Sequence, residues 1–327
     1  MKTLSKAPLV TREVIDEEQA GQRIDNFLLR VCKGVPKSHV YRILRSGEVR
    51  ANGKRIDPAY RLLAGDEIRI PPIRIAERDS DSMGVPVGKP FRVIYEDDAL
   101  IALDKPAGTA VHGGSGVSFG VIEQLRRQRP EARFLELAHR LDRETSGLLL
   151  IAKKRAALTV LHDMFRDGAM RKTYLTLVRG RWLNRLQHVK LPLTKYLTDE
   201  GERRVSVDLQ GRPAHSIVRL LRRWENFSLV EVELKTGRTH QIRVHLAHLG
   251  FPLAGDDKYG DFGLNRSLAN AGLKRMFLHA TRLEMAHPSS HKPLALSIPL
   301  PGNLKRFLVR LDSNERVDFE AADVTAI

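Results

Sequence analysis

Between residues 73 and 90 the chain reads IRIAERDSDSMGVPVGKP. The stretch is charged, broken by glycine and proline, and lacks the apolar alternation of a strand or the three-to-four spacing of a helix. Such a segment cannot bury an apolar face and reads as an interdomain linker. The 327 residues are therefore expected as two folded units, a small one over about 11–72 and a large one over about 91–311. A flexible, acidic, aperiodic tail is expected at 312–327. No internal repeat is visible.

In the first unit, AGQRIDNFLLRVC sets Ile24, Phe27, Leu28 and Val31 at helical spacing. VPKSHVYRILRSGEV repeats the pattern with Val40, Ile43 and Leu44, opening at Pro36 and stopping near Gly47. Asn52-Gly53 supplies the two positive-φ residues of a tight hairpin turn, and Gly65-Asp66 introduces a strand over Glu67–Ile70. The expectation is helix, helix and a small sheet. Lys37, Arg42, Arg45, Arg50, Lys54 and Arg55 all fall on the second helix and the hairpin. Any one of them can be a solvated surface charge, but six on adjacent elements favour a phosphate-binding surface.

In the second unit, FRVIYEDDALIALDKP gives two apolar strands around an Asp-Asp turn. Strand-like runs recur at GLLLIAKK, KTYLTLVRG, FSLVEVEL and KPLALSIPL, with helical segments GVIEQLRRQR and AALTVLHDMF between them. Strands outnumber helices and often follow one another. The expected class is therefore α+β, with a mixed, mainly antiparallel sheet flanked by helices and loops, and not a doubly wound parallel sheet.

Lys and Arg total 55 against 39 Asp and Glu, a net charge of +16. Such an excess favours polyanions, because each phosphate neutralised releases condensed counterions. Nucleic acid is the first candidate partner and an anionic membrane surface the second. No run approaches the length of a membrane span. The single Cys32 excludes an internal disulfide, and MKTLSKAPLVTREVIDEE lacks the apolar core of a signal peptide, so a cytoplasmic setting is expected.

There is no glycine-rich phosphate loop with its Lys and Ser/Thr, and no dinucleotide fingerprint after a strand. His240, His245 and His248 crowd one segment, but no Glu stands in the zincin arrangement and the i, i+5 spacing of the first two leaves them off a common helical face. They read as polar spacers at a strand–helix junction. Neither a metal nor a cofactor is expected.

Four stretches could carry chemistry. KPAGTAVHGG (105–114) follows a strand, as a ligand-facing loop would. HRLDRETSG (139–147) sets Asp142 between Arg140 and Arg143 ahead of an apolar run, with Thr145-Ser146-Gly147 as its turn. RKTYLTLVRG (171–180) places Tyr174 in a strand, and TGRTHQIRVHLAHLGFPLAGDDKYG (236–260) packs Arg238, Thr239, His240, Gln241 and Arg243 together. Taken singly, Asp142 suits a surface ion pair, Lys105-Pro106 an ordinary turn, Tyr174 a core aromatic, and Arg243 a surface cation.

Taken in order, HRLDRETSG, GRTHQIRVH and GDDKYG resemble the signatures of the RluA-type RNA pseudouridine synthases, over nearly everything from residue 91 to about 302. RIDNFL, PKSHVYRILRSGEVRANGKRI and LLAGDEIRI resemble the S4 RNA-binding module. The resemblance implies a cofactor-free isomerase, expected as a monomer, acting on uridines of the 23S RNA of the large ribosomal subunit. The N1–C1′ bond is broken and the uracil is rejoined through C5. The family's motif aspartate, here Asp142, is the implied nucleophile, toward either uracil C6 or ribose C1′, and Arg243 its implied charge partner. A buried carboxylate needs a fixed cation to stay ionised, and a guanidinium keeps its proton and grips two oxygens. Arg140 resembles the residue that fills the space of a flipped-out base, and Tyr174 the one that lies against the uracil and can help remove the C5 proton. His139 and His240 are expected to organise loops. Thr176 departs from the family, which usually has Ala after the tyrosine. The rival readings are a non-catalytic ribosomal-RNA-binding factor on an enzyme-like fold, and a metal-assisted nuclease using Asp256 and Asp257.

Overall fold

The computed structural model describes residues 10–17, 19–32, 35–73, 88–113 and 119–313. The linker expected at 73–90 and the tail expected at 312–327 fall almost wholly outside the described residues. The chain divides into two compact units, Met1–Val87 and Gly88–Ile327.

The first unit runs β1 (Thr11–Val14), α1 (Ile24–Val31), α2 (Lys37–Arg45), β2 (Arg50–Ala51), β3 (Lys54–Arg55) and β4 (Glu67–Ile70). Its sheet has the order β1-β4-β2-β3. Ile24, Phe27 and Leu28 of α1 meet Val40, Ile43 and Leu44 of α2 in one apolar cluster, as the helical spacing requires. Val31 is 40% exposed: the last turn of α1 runs past the edge of the core, and Cys32 takes the buried place. The hairpin turns at Asn52 (φ 50°) and Gly53 (φ 74°), the positive pair that matches strand twist. The sequence TREV of β1 shows no alternation, and its strand is fixed by antiparallel pairing with β4.

The second unit begins with β5 (Arg92–Glu96), β6 (Leu100–Lys105), α3 (Val121–Gln128), β7 (Glu136–Leu137), β8 (Ser146–Ala152), α4 (Arg155–Asp167) and β9 (Arg171–Arg179). It continues with β10 (Leu186–Val189), β11 (Leu193–Leu197), β12 (Arg203–Val207), β13 (Ser216–Arg223), β14 (Phe227–Leu234) and α5 (Gln241–His248). It closes with α6 (Phe262–Asn270), β15 (Leu278–Ala286), β16 (Pro293–Ser297) and α7 (Gly302–Asp312). The main sheet has the order β10-β13-β14-β9-β15-β8-β6-β5, with β16 beside β15 and β7 beside β8. Its pairings are antiparallel except β15 with β8, so the class is α+β with a mixed, mainly antiparallel sheet.

The apolar run GLLLIA is explained by burial on both faces of β8. Leu149 and Ile151 join a cluster with α3, while Leu148 and Leu150 join another with α4. Each such side chain contributes roughly 1.5–3 kcal/mol on burial, which makes β8 a rigid support for whatever precedes it.

Candidate active site

The strand register sets the site. Gly147 of β8 pairs with Ala280 of β15, and Ala280 pairs with Tyr174 of β9, so the three stand side by side across the sheet. Gly147 has φ 121°, and a Cβ there would lie 2.2 Å from the Ala280 carbonyl oxygen. Only glycine permits this approach. Ser146 and Gly147 are thus strand residues, and the turn is not the expected Thr145–Gly147 but Asp142–Thr145, closed by the Thr145 N–H on the Asp142 carbonyl at 3.1 Å. Asp142 opens that turn.

Two internal basic side chains hold the next carbonyls of the loop. Lys105 is fully buried, and its Nζ donates to the carbonyls of Pro106 (2.9 Å), Thr109 (2.8 Å) and Arg143 (3.1 Å). Burial pushes its ammonium down to about 7. Lys105-Pro106 is therefore a stitch between the first loop and the Asp142 loop, where sequence suggested an ordinary turn. Gly108 reinforces it by donating to the Arg143 carbonyl at 2.9 Å. From the other side, Arg275 Nη2 donates to the Ser146 hydroxyl (2.9 Å) and to the Glu144 carbonyl (3.3 Å). His139 packs on Phe165 and accepts the Leu150 N–H through Nε2 at 3.0 Å. Its imidazole is pushed down to about 4 by loss of solvent, so it is neutral and organises the loop.

Arg243 is 3% exposed, which excludes a surface cation. Its principal partner is Asp256, gripped through Nε (2.7 Å) and Nη2 (2.6 Å), while Nη1 reaches Asp142 at 3.5 Å. Burial opposes the charge on Arg243, but the hydrogen bond and field of Asp256 outweigh it and raise the guanidinium further. Asp256 is fully buried and also accepts the N–H groups of Lys258 (2.9 Å) and Tyr259 (3.1 Å), which keep it ionised against burial. Asp256 thus keeps Arg243 charged and oriented, with Nη1 turned toward Asp142 and the Asp142 carboxylate left unconsumed.

His240 sits in the left-handed region at φ 51°. Its Nδ1 is 2.8 Å from the Tyr259 hydroxyl, and its Nε2 is 3.9 Å from Asp142. The Tyr259 oxygen already accepts the Val205 N–H at 3.0 Å. Its own hydrogen can go to Nδ1 when the imidazole hydrogen sits on Nε2, the nitrogen on the side of Asp142. Burial lowers the pKa of His240.

Arg140, Asp142, Tyr174 and Arg243 line one cleft of about 110 Å³, with Leu141, Leu234, Ile242 and Leu278 as its apolar walls. A second cavity of about 340 Å³ adjoins it and shares Arg140, Asp142 and Arg243. Burial and then the charge of Asp142 push the Tyr174 phenol up, so it stays protonated. Thr176 is buried and donates to the Phe277 carbonyl at 2.6 Å, paired across the strands with Leu278 of the cleft wall and not itself lining the cleft. The basic residues Lys37, Arg42, Arg45, Arg50, Lys54 and Arg55 lie exposed on α2, β2 and β3 of the first unit. Arg42 shares its charge with Glu48 at 3.2 Å, and Arg55 reaches the Arg45 carbonyl, tying the hairpin to the end of α2.

Among the described residues, no group of three or more His, Cys, Asp or Glu could hold a metal ion, and no helix is long and apolar enough to cross a membrane. His245 is a buried member of α5, paired with Ser216 (3.0 Å) and the Leu191 carbonyl (2.9 Å). Sequence reasoning missed the roles of Asp256, read only as a nuclease candidate, and of Lys105, read as part of a turn, and it gave no role to Arg275 or Tyr259. The first acid of GDDKYG was visible, but its role depends on a guanidinium thirteen positions away in sequence being buried against it.

Residues 99–248 match the RNA pseudouridylate synthase family, and residues 22–68 match the S4 domain. The chain belongs to the RNA pseudouridylate synthase family. It is 51% identical, over 95% of its length and 99% of the relative's, to ribosomal large subunit pseudouridine synthase C of Escherichia coli (strain K12). The Salmonella typhimurium protein of the same name is also 51% identical, with 94% and 98% covered. Of solved structures, human RNA pseudouridylate synthase domain containing 1 aligns over 65% of this chain and 84% of its own, with 25% identity and a TM-score of 0.55.

Proposed function

We propose that the chain isomerises specific uridines of 23S ribosomal RNA to pseudouridine, with Asp142 as the nucleophile. The observation that carries the reading is a partly exposed carboxylate at 3.5 Å from a buried, permanently charged guanidinium, in a cleft walled by Tyr174. Relatives named as large-subunit ribosomal enzymes support the RNA class.

A stacked uridine must first be flipped out, at a cost of about a few kcal/mol. Arg140, exposed and lining both cavities, fills the space the base leaves. Asp142 then attacks uracil C6 or ribose C1′, the N1–C1′ bond breaks, the uracil turns, and C5 bonds to C1′. The C5 hydrogen leaves as a proton and N1 gains one, so there is no net redox and no cofactor is required. The loose Arg243 contact leaves Asp142 oxygens free for attack and stabilises the carboxylate when it departs. Tyr174, held neutral, lies against the base and takes the C5 proton only while passing on its own hydrogen. Residues 91–311 are assigned as the catalytic unit and 11–72 as an S4-like unit whose exposed Lys37, Arg42, Arg45, Arg50 and Lys54 add affinity for RNA phosphates. Ribosomal RNA as substrate goes with a cytoplasmic location, and the reaction calls for no second subunit.

Mapping pseudouridines in the 23S RNA of a strain lacking the gene, with and without its restoration, tests the substrate. Specific sites should vanish and return; an unchanged map would overturn the ribosomal reading.

A further inference from the structure

The largest of the three cavities described, about 540 Å³, lies between the β11–β12 hairpin and the Gly237–Thr239 turn. It shares Gly237, Arg238 and Thr239 with the cleft that holds Asp142. Its charged lining residues are Lys195, Arg212 and Arg238, and no carboxylate lines it. All three cations are exposed. The hairpin's Glu202 is occupied by Lys258 and Arg204, which leaves Lys195 and Arg212 unpaired with any carboxylate among the described residues. Asp199 and Glu200 sit at the hairpin's far turn, and Asp208, at its base, turns its carboxylate to the Gln210 N–H at 2.9 Å and does not line the groove.

The hairpin is its own two-stranded sheet, yet its position is fixed. Leu193 and Arg212 exchange backbone hydrogen bonds at 2.9 Å in both directions, which closes the base. The Val205 N–H donates to the Tyr259 hydroxyl at 3.0 Å, and Arg204 Nη1 reaches the Lys258 carbonyl at 3.4 Å. The same segment carries Asp256, the partner of Arg243. The groove is therefore referenced to the reacting carboxylate, so a chain seated in it is held at a set distance from the cleft.

We propose that this groove is a subsite for the sugar-phosphate backbone of the unpaired RNA strand adjoining the target uridine. Lys195 and Arg212 grip phosphates, and Arg238 marks the passage out of the cleft. A polyanion fits a lining of three cations without an acid, and continuity with the cleft makes that polyanion the substrate strand itself. The proposal rests on the pseudouridine synthase reading and adds the element that sets which side of the uridine is held.

The test uses the full chain and tritium release from a 23S RNA fragment labelled at uridine C5, measured across salt concentrations. Lys195→Ala/Arg212→Ala removes two contacts. The slope of log(kcat/KM) against log salt should become shallower by about 1.4, about 0.7 for each single-strand phosphate. The change should fall on KM, with kcat at saturating RNA within about twofold of wild type. Lys195→Arg/Arg212→Lys should keep the wild-type slope. Lys305→Ala/Arg306→Ala on α7 removes equal charge outside the groove and should also keep it. An unchanged slope and KM in the first variant, or an equal change in the α7 variant, overturns the subsite. Absence of tritium release by the wild type instead overturns the function on which the subsite rests.

Discussion

Asp256→Asn removes one charge from a pair that solvent cannot rescue, because Arg243 is 3% exposed and Asp256 fully buried. Stripping one partner from a buried ion pair costs about 3–5 kcal/mol, since the remaining charge has no water to turn to. Asn can keep its carbonyl oxygen on Arg243 Nη2 and the N–H groups of Lys258 and Tyr259, but its amide hydrogens then face Arg243 Nε, and the guanidinium loses its counter-charge. The full desolvation penalty therefore remains. At about 2–4 °C per kcal/mol for a unit of this size, the melting temperature should fall by roughly 6–20 °C. The freed guanidinium also turns toward Asp142, now 3.5 Å away, and ties up the carboxylate. Activity well below the melting point should then drop as well. Circular-dichroism melting of the full chain and tritium release at low temperature read the two effects separately. Arg243→Met/Asp256→Leu, which removes both charges, should melt closer to wild type than Asp256→Asn does while remaining inactive. Melting of Asp256→Asn within about 1 °C of wild type would refute the buried-pair reasoning.

Two further outcomes follow from the groups around Asp142. Tyr174→Phe keeps the ring and should keep RNA affinity, but kcat should fall by about 10²–10⁴, the usual worth of a proton-transfer group; near-wild-type turnover would leave Tyr174 a stacking surface only. Lys105 is pushed from 10.5 to about 7 by burial, so between those values the unfolded chain carries a proton that the folded chain lacks. Its contribution to stability is therefore lost as pH falls through about 7 and regained as pH rises toward 10.5. Urea unfolding at successive pH values should show wild type gaining up to about 1.4 kcal/mol per unit relative to Lys105→Met in that window, and a flat difference would contradict the assignment.

Local patterns made much of the fold legible. Apolar spacing located α1 and α2, Asn52-Gly53 marked the hairpin, and the run GLLLIAKK announced a strand, which the structure covers on both faces. β15, which joins β9 to β8, was not read, because its sequence LHATRLEMA mixes polar residues into a strand that is buried by its neighbours. The cleft residues were legible because Asp142, Tyr174 and Arg243 stand in recognisable motifs. Their supports were not. Lys105, Arg275 and Asp256 act through carbonyls and a guanidinium brought together only by the sheet register, and a lone Lys, Arg or Asp has no sequence signature for such a contact. The turn misplaced onto Ser146-Gly147 has the same origin: glycine there serves a close strand approach, and glycine in a sequence reads first as a turn.

Asp142→Asn decides whether the loop built by Lys105, Arg275 and Gly147 presents a nucleophile. The side chain keeps its shape and is partly exposed, so the fold and RNA affinity should stay near wild type. Tritium release from C5-labelled uridine in 23S RNA should fall by a factor on the order of 10³ or more. Turnover within about tenfold of wild type, with RNA binding retained, would remove Asp142 from the chemistry.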